Sequence, residues 1–491
     1  MRLQLAEASI PSPSPIFDAG HADRSRSNDA DPTLVVTVMA PDTTGGAAAA
    51  LDTVVGCFLS TRDGAVERQR PARRARARAL VALVVVATPA AAHADDRAEV
   101  STSVFAEKRD GNKGNLTVVH PQADFGVDLG RYVSLDASYA ADAVSGATSV
   151  IYQVDAISTA TTFSDVRHEG TLGFGFHGKR SRIDFAATFG TERDYLSHQV
   201  GGSASIDLPG RNTTVALAYS HSWDNVCDKD NSTLTPLESK ALTGSDPCDK
   251  TGGFFAKDKP GMTIWKDLSI DTAQFTLTQN LTPTMNMQVA AYGQVLEGFQ
   301  SNPYRRVKVG PASPQEHVPN TRARWSLSAR LNRFLPTLKG AVHFDARFYD
   351  DTWRVVGGDV ELGYSQYIGK SLLVKVHARV YQQSAAKFFK DAFYYETEST
   401  AGEYFTGDRE LSPVRNAIIG GKLTVITVAG DGPVWGLFDK LQLNVKADIL
   451  FLDLLAADSL ANNPMGIDKQ FIYGNNFVDA VILQLGLLGN Y

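Results

Sequence analysis

The chain has 491 residues, of which 43% are hydrophobic and 21% are charged, and its formal net charge is −6. This acidic balance argues against a nucleic-acid partner, which would favour a basic face. No segment reaches the roughly 18 consecutive apolar residues of a membrane-spanning helix. The composition therefore excludes the helical membrane proteins and disfavours the nucleic-acid-binding proteins.

Residues 1–67 are rich in Ala, Asp, Ser, Pro and Gly and show no sustained periodicity, as in EASIPSPSPIF and TTGGAAAA. A start codon assigned too far upstream would explain this segment, and a disordered extension is the alternative. Neither interpretation assigns a function to it.

Residues 68–94 read as a secretory signal peptide. Six arginines between Arg68 and Arg78 precede an apolar core over Leu80–Ala87, and the small residues of Ala92-His93-Ala94 follow. A basic region, a short apolar core and small residues at the cleavage site are the three parts of such a signal. We expect cleavage after Ala94, which makes residues 95–491 the mature domain.

The mature chain is dominated by alternation of apolar and polar residues. LLVKVHARVY, for example, places Lys375, His377 and Arg379 on one face and the intervening Val and Ala residues on the other. This period of two is typical of strands with one apolar face and one wet face. The alternating segments predict sixteen strands, near 99–109, 116–129, 132–143, 166–177, 182–193, 197–208, 212–223, 265–281, 285–298, 320–334, 339–350, 353–368, 371–384, 411–428, 440–455 and 474–491.

The connections between these strands alternate in length. Tight turns are predicted at 130–131, 178–181, 209–212, 282–284, 336–339 and 369–370, and long segments at 144–165, 224–264, 299–319, 385–410 and 456–473. Short turns on one side and long loops on the other are typical of a transmembrane barrel. We therefore predict an all-β, antiparallel up-and-down transmembrane barrel of about sixteen strands, with both termini in the periplasm.

The last fifteen residues, FVDAVILQLGLLGNY, predict a final strand closed by an aromatic residue. Val481, Leu483 and Leu485 would face lipid, and Tyr491 would lie at the periplasmic interface, where aromatic rings are favoured. The ending resembles the carboxy-terminal signal that the outer-membrane assembly machinery recognises. We therefore expect a bacterial outer-membrane location, with membrane lipid and this machinery as partners.

A family resemblance lies in DASYAADAVSGATS, residues 136–149. Asp142, Ser145 and Gly146 match the Asp-x-x-Ser-Gly-Ala signature of an uncharacterised bacterial family of outer-membrane barrels. The resemblance implies the barrel fold over the mature chain and brings no established activity. From the residues alone, Ser145-Gly146 is expected to form a turn with Asp142 accepting backbone N–H bonds, and contact with a ligand or partner is the alternative.

Charged residues alternate along four consecutive predicted strands near the carboxyl half. One interpretation is a lattice of salt bridges inside the barrel, and the other is a charged pore lining that selects small polar or ionic solutes. The predicted lumen-lining residues are Arg322, Arg324, Arg330, Asp345, Arg347, Asp359, Glu361, Lys375 and Arg379.

Catalytic and metal-binding patterns are weak. The chain has no Gly-x-Ser-x-Gly or His-Glu-x-x-His motif and no paired-cysteine metal motif. The aspartates between Asp224 and Asp249 resemble a calcium loop only in part, because Thr233 occupies the position where glycine is needed. We expect a solvated acidic loop there, no cofactor, no metal and no enzyme.

A barrel of sixteen strands is wide enough for an aqueous channel unless loops fill it. We therefore predict a channel for passive transport of small polar solutes whose identity the sequence does not give. The alternatives are a non-conducting barrel that anchors or scaffolds a periplasmic or surface partner and, with less support, a surface hydrolase with catalytic residues assembled across strands.

The sequence also predicts a disulfide between Cys227 and Cys248, the two cysteines that follow the predicted cleavage site. Disulfides persist outside the cytoplasm, and this one would close a loop of about 22 residues and contribute about 3 kcal/mol by loop closure. We expect unreduced protein to show no mass shift with a thiol reagent and two modified cysteines after reduction. Two modified cysteines without reductant would contradict the disulfide.

Overall fold

A computed structural model describes residues 96–107, 117–146, 163–192, 195–228, 264–302, 307, 316–389, 401–429, 433–454 and 480–491. These residues form sixteen strands, and a single 3₁₀ turn, Arg409–Leu411, lies between the thirteenth and the fourteenth. The strands are β1 Arg97–Glu107, β2 Thr117–Asp128, β3 Val133–Gly146, β4 Phe163–His177, β5 Ser181–Thr191, β6 Tyr195–Asp207, β7 Thr213–Asp228, β8 Ile264–Thr282, β9 Met285–Gly298, β10 Thr321–Leu335, β11 Gly340–Asp351, β12 Val356–Ile368, β13 Leu372–Gln383, β14 Val414–Val428, β15 Lys440–Leu454 and β16 Ala480–Asn490.

Each strand pairs antiparallel with its neighbours in the sequence, and β1 pairs with β16 to close the sheet. The closing register runs from Arg97 opposite Asn490 to Glu107 opposite Ala480. Closure leaves no edge strand, so each strand has a hydrogen-bonded partner on both sides. The prediction of an all-β, up-and-down barrel of about sixteen strands is confirmed.

The two faces of the barrel wall differ in chemistry and exposure. One face carries large apolar side chains that are exposed, such as Leu217, Leu362 and Val380. The residues between them are mostly polar and much less exposed. Because the sheet is closed, we assign the exposed apolar side chains to the outward face and the alternate positions to the inward face. Within the described part of the chain, no helix is long and apolar enough to cross a membrane.

The barrel has two unlike ends. The turn end holds both ends of the described chain, at Asp96 and Tyr491, and short connections such as 129–132 and 369–371. Gly130 and Gly369 take positive φ angles of 82° and 71°, which glycine adopts without strain. The loop end holds the longest connections between strands together with the short ones at 192–194 and 352–355, and the turn end holds one long connection, 429–439.

Several boundaries differ from the prediction. β12 begins at Val356, three residues later than the predicted strand 353–368. Trp353–Val355 instead fold over the loop end, where Trp353 packs on the inward-facing Arg322. β7 continues to Asp228, so Asp224 and Cys227 belong to the barrel wall and not to a loop. The last strand is described from Ala480, and residues 474–479 lie outside the described residues.

Candidate functional site

The nine residues predicted to line the lumen occupy the inward positions of β10, β11, β12 and β13. Their neighbours in sequence, such as Trp325, Phe344 and Val376, are exposed on the outward face. The inward residues are Arg322, Arg324 and Arg330 on β10, Asp345 and Arg347 on β11, Asp359 and Glu361 on β12, and Lys375 and Arg379 on β13.

Their side chains form a lattice of ion pairs across neighbouring strands. In the register, Asp345 lies opposite Arg330 on one side and Glu361 on the other, and the Arg330 guanidinium binds the Asp345 carboxylate. The Asp359 carboxylate accepts from Arg347 Nε at 2.8 Å and lies 3.1 Å from Arg379 Nη2. Paired charges of opposite sign on adjacent strands stabilise the wall from inside.

A buried aromatic and ionic cluster lies above this lattice, at the loop end. Arg322 Nε donates to Asp351 Oδ2 at 2.9 Å, and Tyr349 Oη donates to the same oxygen at 2.8 Å. The Arg322 guanidinium also lies over the Trp353 ring, 4.3 Å from its centroid. Arg324, two residues further along β10, donates from Nε to Gln294 Oε1 of the neighbouring strand β9 at 2.7 Å. These contacts connect the barrel wall to the segments above it.

Those segments form a folded cap, which we define as the described residues 299–320, 352–355, 384–389 and 401–413. Two apolar clusters hold it together. The larger contains Val318, Trp353, Val355, Ala386, Phe388 and Leu411, and the smaller contains Val307, Ala401 and Phe405. Tyr349, an inward residue of β11, packs against the larger cluster. The cap therefore rests on the inside of the wall over β10–β13.

Polar contacts join the two long connections that build the cap. His317 and Phe405 exchange backbone hydrogen bonds of 3.2 and 2.8 Å. The buried Glu316 carboxylate accepts from the Asn302 backbone N–H at 3.2 Å and from Thr406 Oγ1 at 2.8 Å. The Trp353 indole donates to the Thr321 carbonyl at 2.9 Å. These satisfied buried groups give the cap one defined packing.

The inward charges of β1–β7 are predominantly acidic, and we call this part of the wall the acidic arc. Its described carboxylates outnumber its arginines by ten to three, a formal excess of seven negative charges. The carboxylates belong to Glu99, Glu107, Asp124, Asp128, Asp136, Asp142, Glu169, Asp184, Asp207 and Asp224, and the arginines are Arg97, Arg167 and Arg182.

The inward charges of β10–β15 are predominantly basic, and we call this part the basic arc. Nine described cations face five carboxylates, a formal excess of four positive charges. The cations are the six Arg and Lys residues named above together with Lys422, Lys440 and Lys446, and the carboxylates belong to Asp345, Asp351, Asp359, Glu361 and Asp448. The two arcs lie on opposite sides of the sixteen-stranded wall, since β4 and β12 are eight strands apart.

Solvent reaches the inward face away from the cap. The side chains of Arg97, Asp136 and Arg347 keep 37%, 36% and 37% of their surface exposed. Beneath the cap, by contrast, Arg322 is 4% exposed and Asp351 is fully buried. Solvent therefore reaches inward side chains near the turn end and at Arg347, and it does not reach those that lie beneath the cap.

The signature residues lie in the wall, which corrects the turn expected for them. Ser145 and Gly146 are the last residues of β3 and pair in register with Ser164 and Phe163. They belong to the strand because the β3–β4 ladder continues to that point. Asp142 Oδ1 lies 2.7 Å from His120 Nδ1, so the contact of this carboxylate is with a side chain of β2.

Two other predicted sites lie partly within the described residues. Cys227 is in β7 opposite Trp265, and Cys248 lies outside the described residues, so the disulfide stays a prediction. The Tyr491 backbone N–H donates to the Asp96 carbonyl at 3.0 Å, and its ring meets Phe438 edge to face at 6.4 Å. Its role as an assembly signal also stays a prediction.

Sequence reasoning missed the cap and the basic residues of β14 and β15. The alternating pattern gives no register between strands and therefore does not align Lys446 with Lys422. The cap segments had no periodicity, and their apolar residues, such as Phe388 and Phe405, were scattered through predicted loops. No signal in the sequence identified their partners.

A closed antiparallel barrel with an apolar outward face and a charged inward face defines the class of this protein. Within that class, the chain belongs to the family described as "Protein of unknown function (DUF3570)", whose model matches residues 75–425. No curated protein sequence matches the chain.

The chain is also similar to solved structures of bacterial proteins. For a bacterial polysaccharide outer membrane secretin, the TM-score is 0.42 at 8% identity, covering 81% of this chain and 99% of that one. For the outer membrane protein opdK from Pseudomonas aeruginosa, the TM-score is 0.35 at 7% identity, covering 80% and 98%. For the translocator domain of the autotransporter NalP from Neisseria meningitidis, it is 0.30 at 8% identity, covering 81% and 90%.

We expect Trp353→Ala to open the cap and leave the barrel folded. The indole fills the centre of the larger cluster, and removing a buried Trp costs about 3–5 kcal/mol. Hydrogen exchange of residues 384–389 and 401–413 should accelerate strongly while the strands stay protected. Trp325→Ala, which removes an outward indole, is the matched control and should leave cap exchange unchanged. Equal exchange in both variants would contradict the assigned role of Trp353.

Proposed function

We propose that this protein is a bacterial outer-membrane barrel that conducts small polar solutes passively. The observation that carries the proposal is the solvent-accessible, charged inward face. A barrel of sixteen strands that are about 4.8 Å apart and tilted near 40° is roughly 30 Å wide between backbones. Inward side chains and the cap occupy part of this width, and the remaining space is lined by polar groups suited to hydrated solutes.

The outward face supports the membrane location. Trp223 and Trp325 each lie ten residues from the turn-end limit of their strands, at Thr213 and Leu335. At about 3.3 Å per residue and a tilt near 40°, this separation is about 25 Å, the height of the apolar band in transmembrane barrels. Tyr132, Phe438 and Tyr491 provide aromatic rings at the turn end. Aromatic residues at both limits of an apolar band suit the two membrane interfaces.

The cap would narrow the opening of the proposed channel at the loop end. It covers the inside of β10–β13 at the loop end, and Asp136 of the acidic arc, near the turn end, is accessible to solvent. In the proposed channel, a solute would pass beside the cap and along the acidic arc. This arrangement favours cations and solutes with a positively charged group over simple anions at entry.

The membrane location predicts a strong penalty for charge on the outward face. Leu217→Arg should destabilise the folded barrel in lipid by about 2–4 kcal/mol, because position 217 lies within the proposed apolar band. Leu129→Arg is the matched control, since Leu129 lies in a turn at the end of the barrel, where the cost is about 0–1 kcal/mol. Reversible unfolding in lipid vesicles measures both. Equal, small effects at the two positions would contradict the membrane register.

The channel proposal predicts discrete conductance steps when the purified full chain is added to a planar lipid bilayer. Phe405→Ala should raise the conductance of single channels, because Phe405 is fully buried in the cap and its loss loosens the restriction. Trp325→Ala should conduct like the wild type. Folded barrels that insert into the bilayer without conductance steps would refute the channel and favour a non-conducting anchor or scaffold.

A further inference from the structure

A groove crosses the outward face of β7–β11 near the loop end. Its volume is about 570 Å³, and Tyr219, Ala273, Gly293 and Trp325 are among the residues that line it. Tyr219 and Trp325 are outward residues that are 53% and 46% exposed. The groove therefore opens toward the surroundings of the barrel and not toward its lumen.

The register explains why the wall is grooved at this place. Tyr219 lies opposite Ala273, Ala273 opposite Gly293, and Gly293 opposite Trp325. This row crosses four strands, and the strands that carry its two rings are about 14 Å apart at the usual strand spacing. A Cβ atom added to Gly293 would meet no atom within 4 Å. The groove is therefore the space that two small residues leave between two aromatic walls.

Neighbouring side chains hold both walls in place. On one side, Tyr219 Oη donates to Asp271 Oδ1 at 2.5 Å, and His221 Nδ1 lies 2.8 Å from the same oxygen. On the other side, the Trp325 ring packs against Phe348 with their centroids 5.3 Å apart. A ligand would not have to order these rings when it binds, and such preorganisation favours binding.

Carboxylates form the rim of the groove at its loop end. Asp271 and Asp350 line the groove itself, and Asp267 and Glu297 occupy outward positions of β8 and β9 still nearer the loop end. Among the described residues, β7–β11 carry no lysine or arginine at an outward position in this part of the wall. The rim is therefore complementary to a positive charge, whereas the floor is complementary to an apolar group.

The groove has the same order of polarity as a membrane interface. Trp325 marks the loop-end limit of the proposed apolar band, and the next outward residues away from the loop end include Phe275, Ala291 and Leu327. An acyl chain on the groove floor would continue into this apolar band. The head group of the same molecule would lie at the acidic rim.

We propose that the groove binds one membrane lipid whose head group carries an amine. Its acyl chain lies over Ala273 and Gly293, between the two aromatic walls, and its amine lies beside Asp271 and Asp350. An ammonium group donates charge-assisted hydrogen bonds to carboxylates. The site uses the membrane location of the barrel and does not depend on whether the barrel conducts.

Charge disfavours a second copy of this chain as the occupant. Two barrels that share one membrane and face each other across a twofold axis present the same surface to each other. That arrangement would bring the two acidic rims together, and like charges repel. An amine-bearing lipid has the opposite charge at the same level of the wall.

Native mass spectrometry of the full-length barrel can test the site. The barrel is released from vesicles that contain phosphatidylethanolamine and phosphatidylglycerol with the same acyl chains. One phosphatidylethanolamine should stay bound at collision energies that remove the other lipids. Equal retention of the two lipids, retention of phosphatidylglycerol that depends on Mg²⁺, or a dimer without lipid would each overturn the proposal.

Variants separate the floor of the groove from its rim. Gly293→Leu fills the floor and should abolish the retained lipid. Gly170→Leu is the matched control, because Gly170 is an outward glycine of β4 whose added Cβ would also meet no atom within 4 Å. Asp350→Asn keeps the shape and should lower the preference for phosphatidylethanolamine over phosphatidylglycerol about two- to fivefold.

The mobility of heated and unheated samples in electrophoresis shows whether each variant is folded. Folded Gly293→Leu that retains lipid as well as Gly170→Leu does would refute the groove as the binding place. An unchanged head-group preference in Asp350→Asn would refute the role assigned to the rim. Retained lipid on a barrel that does not conduct in planar bilayers would refute the channel while supporting this site, and conductance without retained lipid would do the reverse.

Discussion

The pairing of β1 with β16 is the constraint on which the rest of this structure depends. Eleven residue pairs close the sheet and remove its last free edge. Closure separates the wall into an enclosed face and an exposed face, and the two-residue period of a strand then fixes the side on which each residue lies. Burial, ion pairing and exposure along all sixteen strands follow from that separation.

The enclosed face shows how a barrel accommodates many charges. On β10–β13, most charges have a partner of opposite sign on the adjacent strand, as Arg347 has in Asp359. Local pairing nevertheless leaves an excess of negative charge in the acidic arc and an excess of positive charge in the basic arc. The net field of the lumen therefore arises from the small surplus in each arc and not from the total number of charged residues.

Much of this fold was predictable because its information is local. Alternation located all sixteen strands, and the inward position of Arg322 or Lys375 followed from the exposed apolar neighbours that each one has in the sequence. The register between neighbouring strands, by contrast, is not encoded by the local sequence of either strand. The opposition of Lys422 and Lys446 depends on where both strands begin and on the connection between them, which no single strand encodes. The cap could not be predicted from the sequence either. The contact between His317 and Phe405 joins segments almost ninety residues apart, and no periodic pattern marks those segments.

The cap has a consequence for the order in which the molecule is built. Its two main connections flank β10–β13, and each consecutive hairpin among those strands can form from neighbours in the chain. The contacts between Glu316 and Thr406 need both flanking segments, so they can form only after these four strands have aligned. A newly assembled barrel would therefore pass through a wide-mouthed form before the mouth narrows.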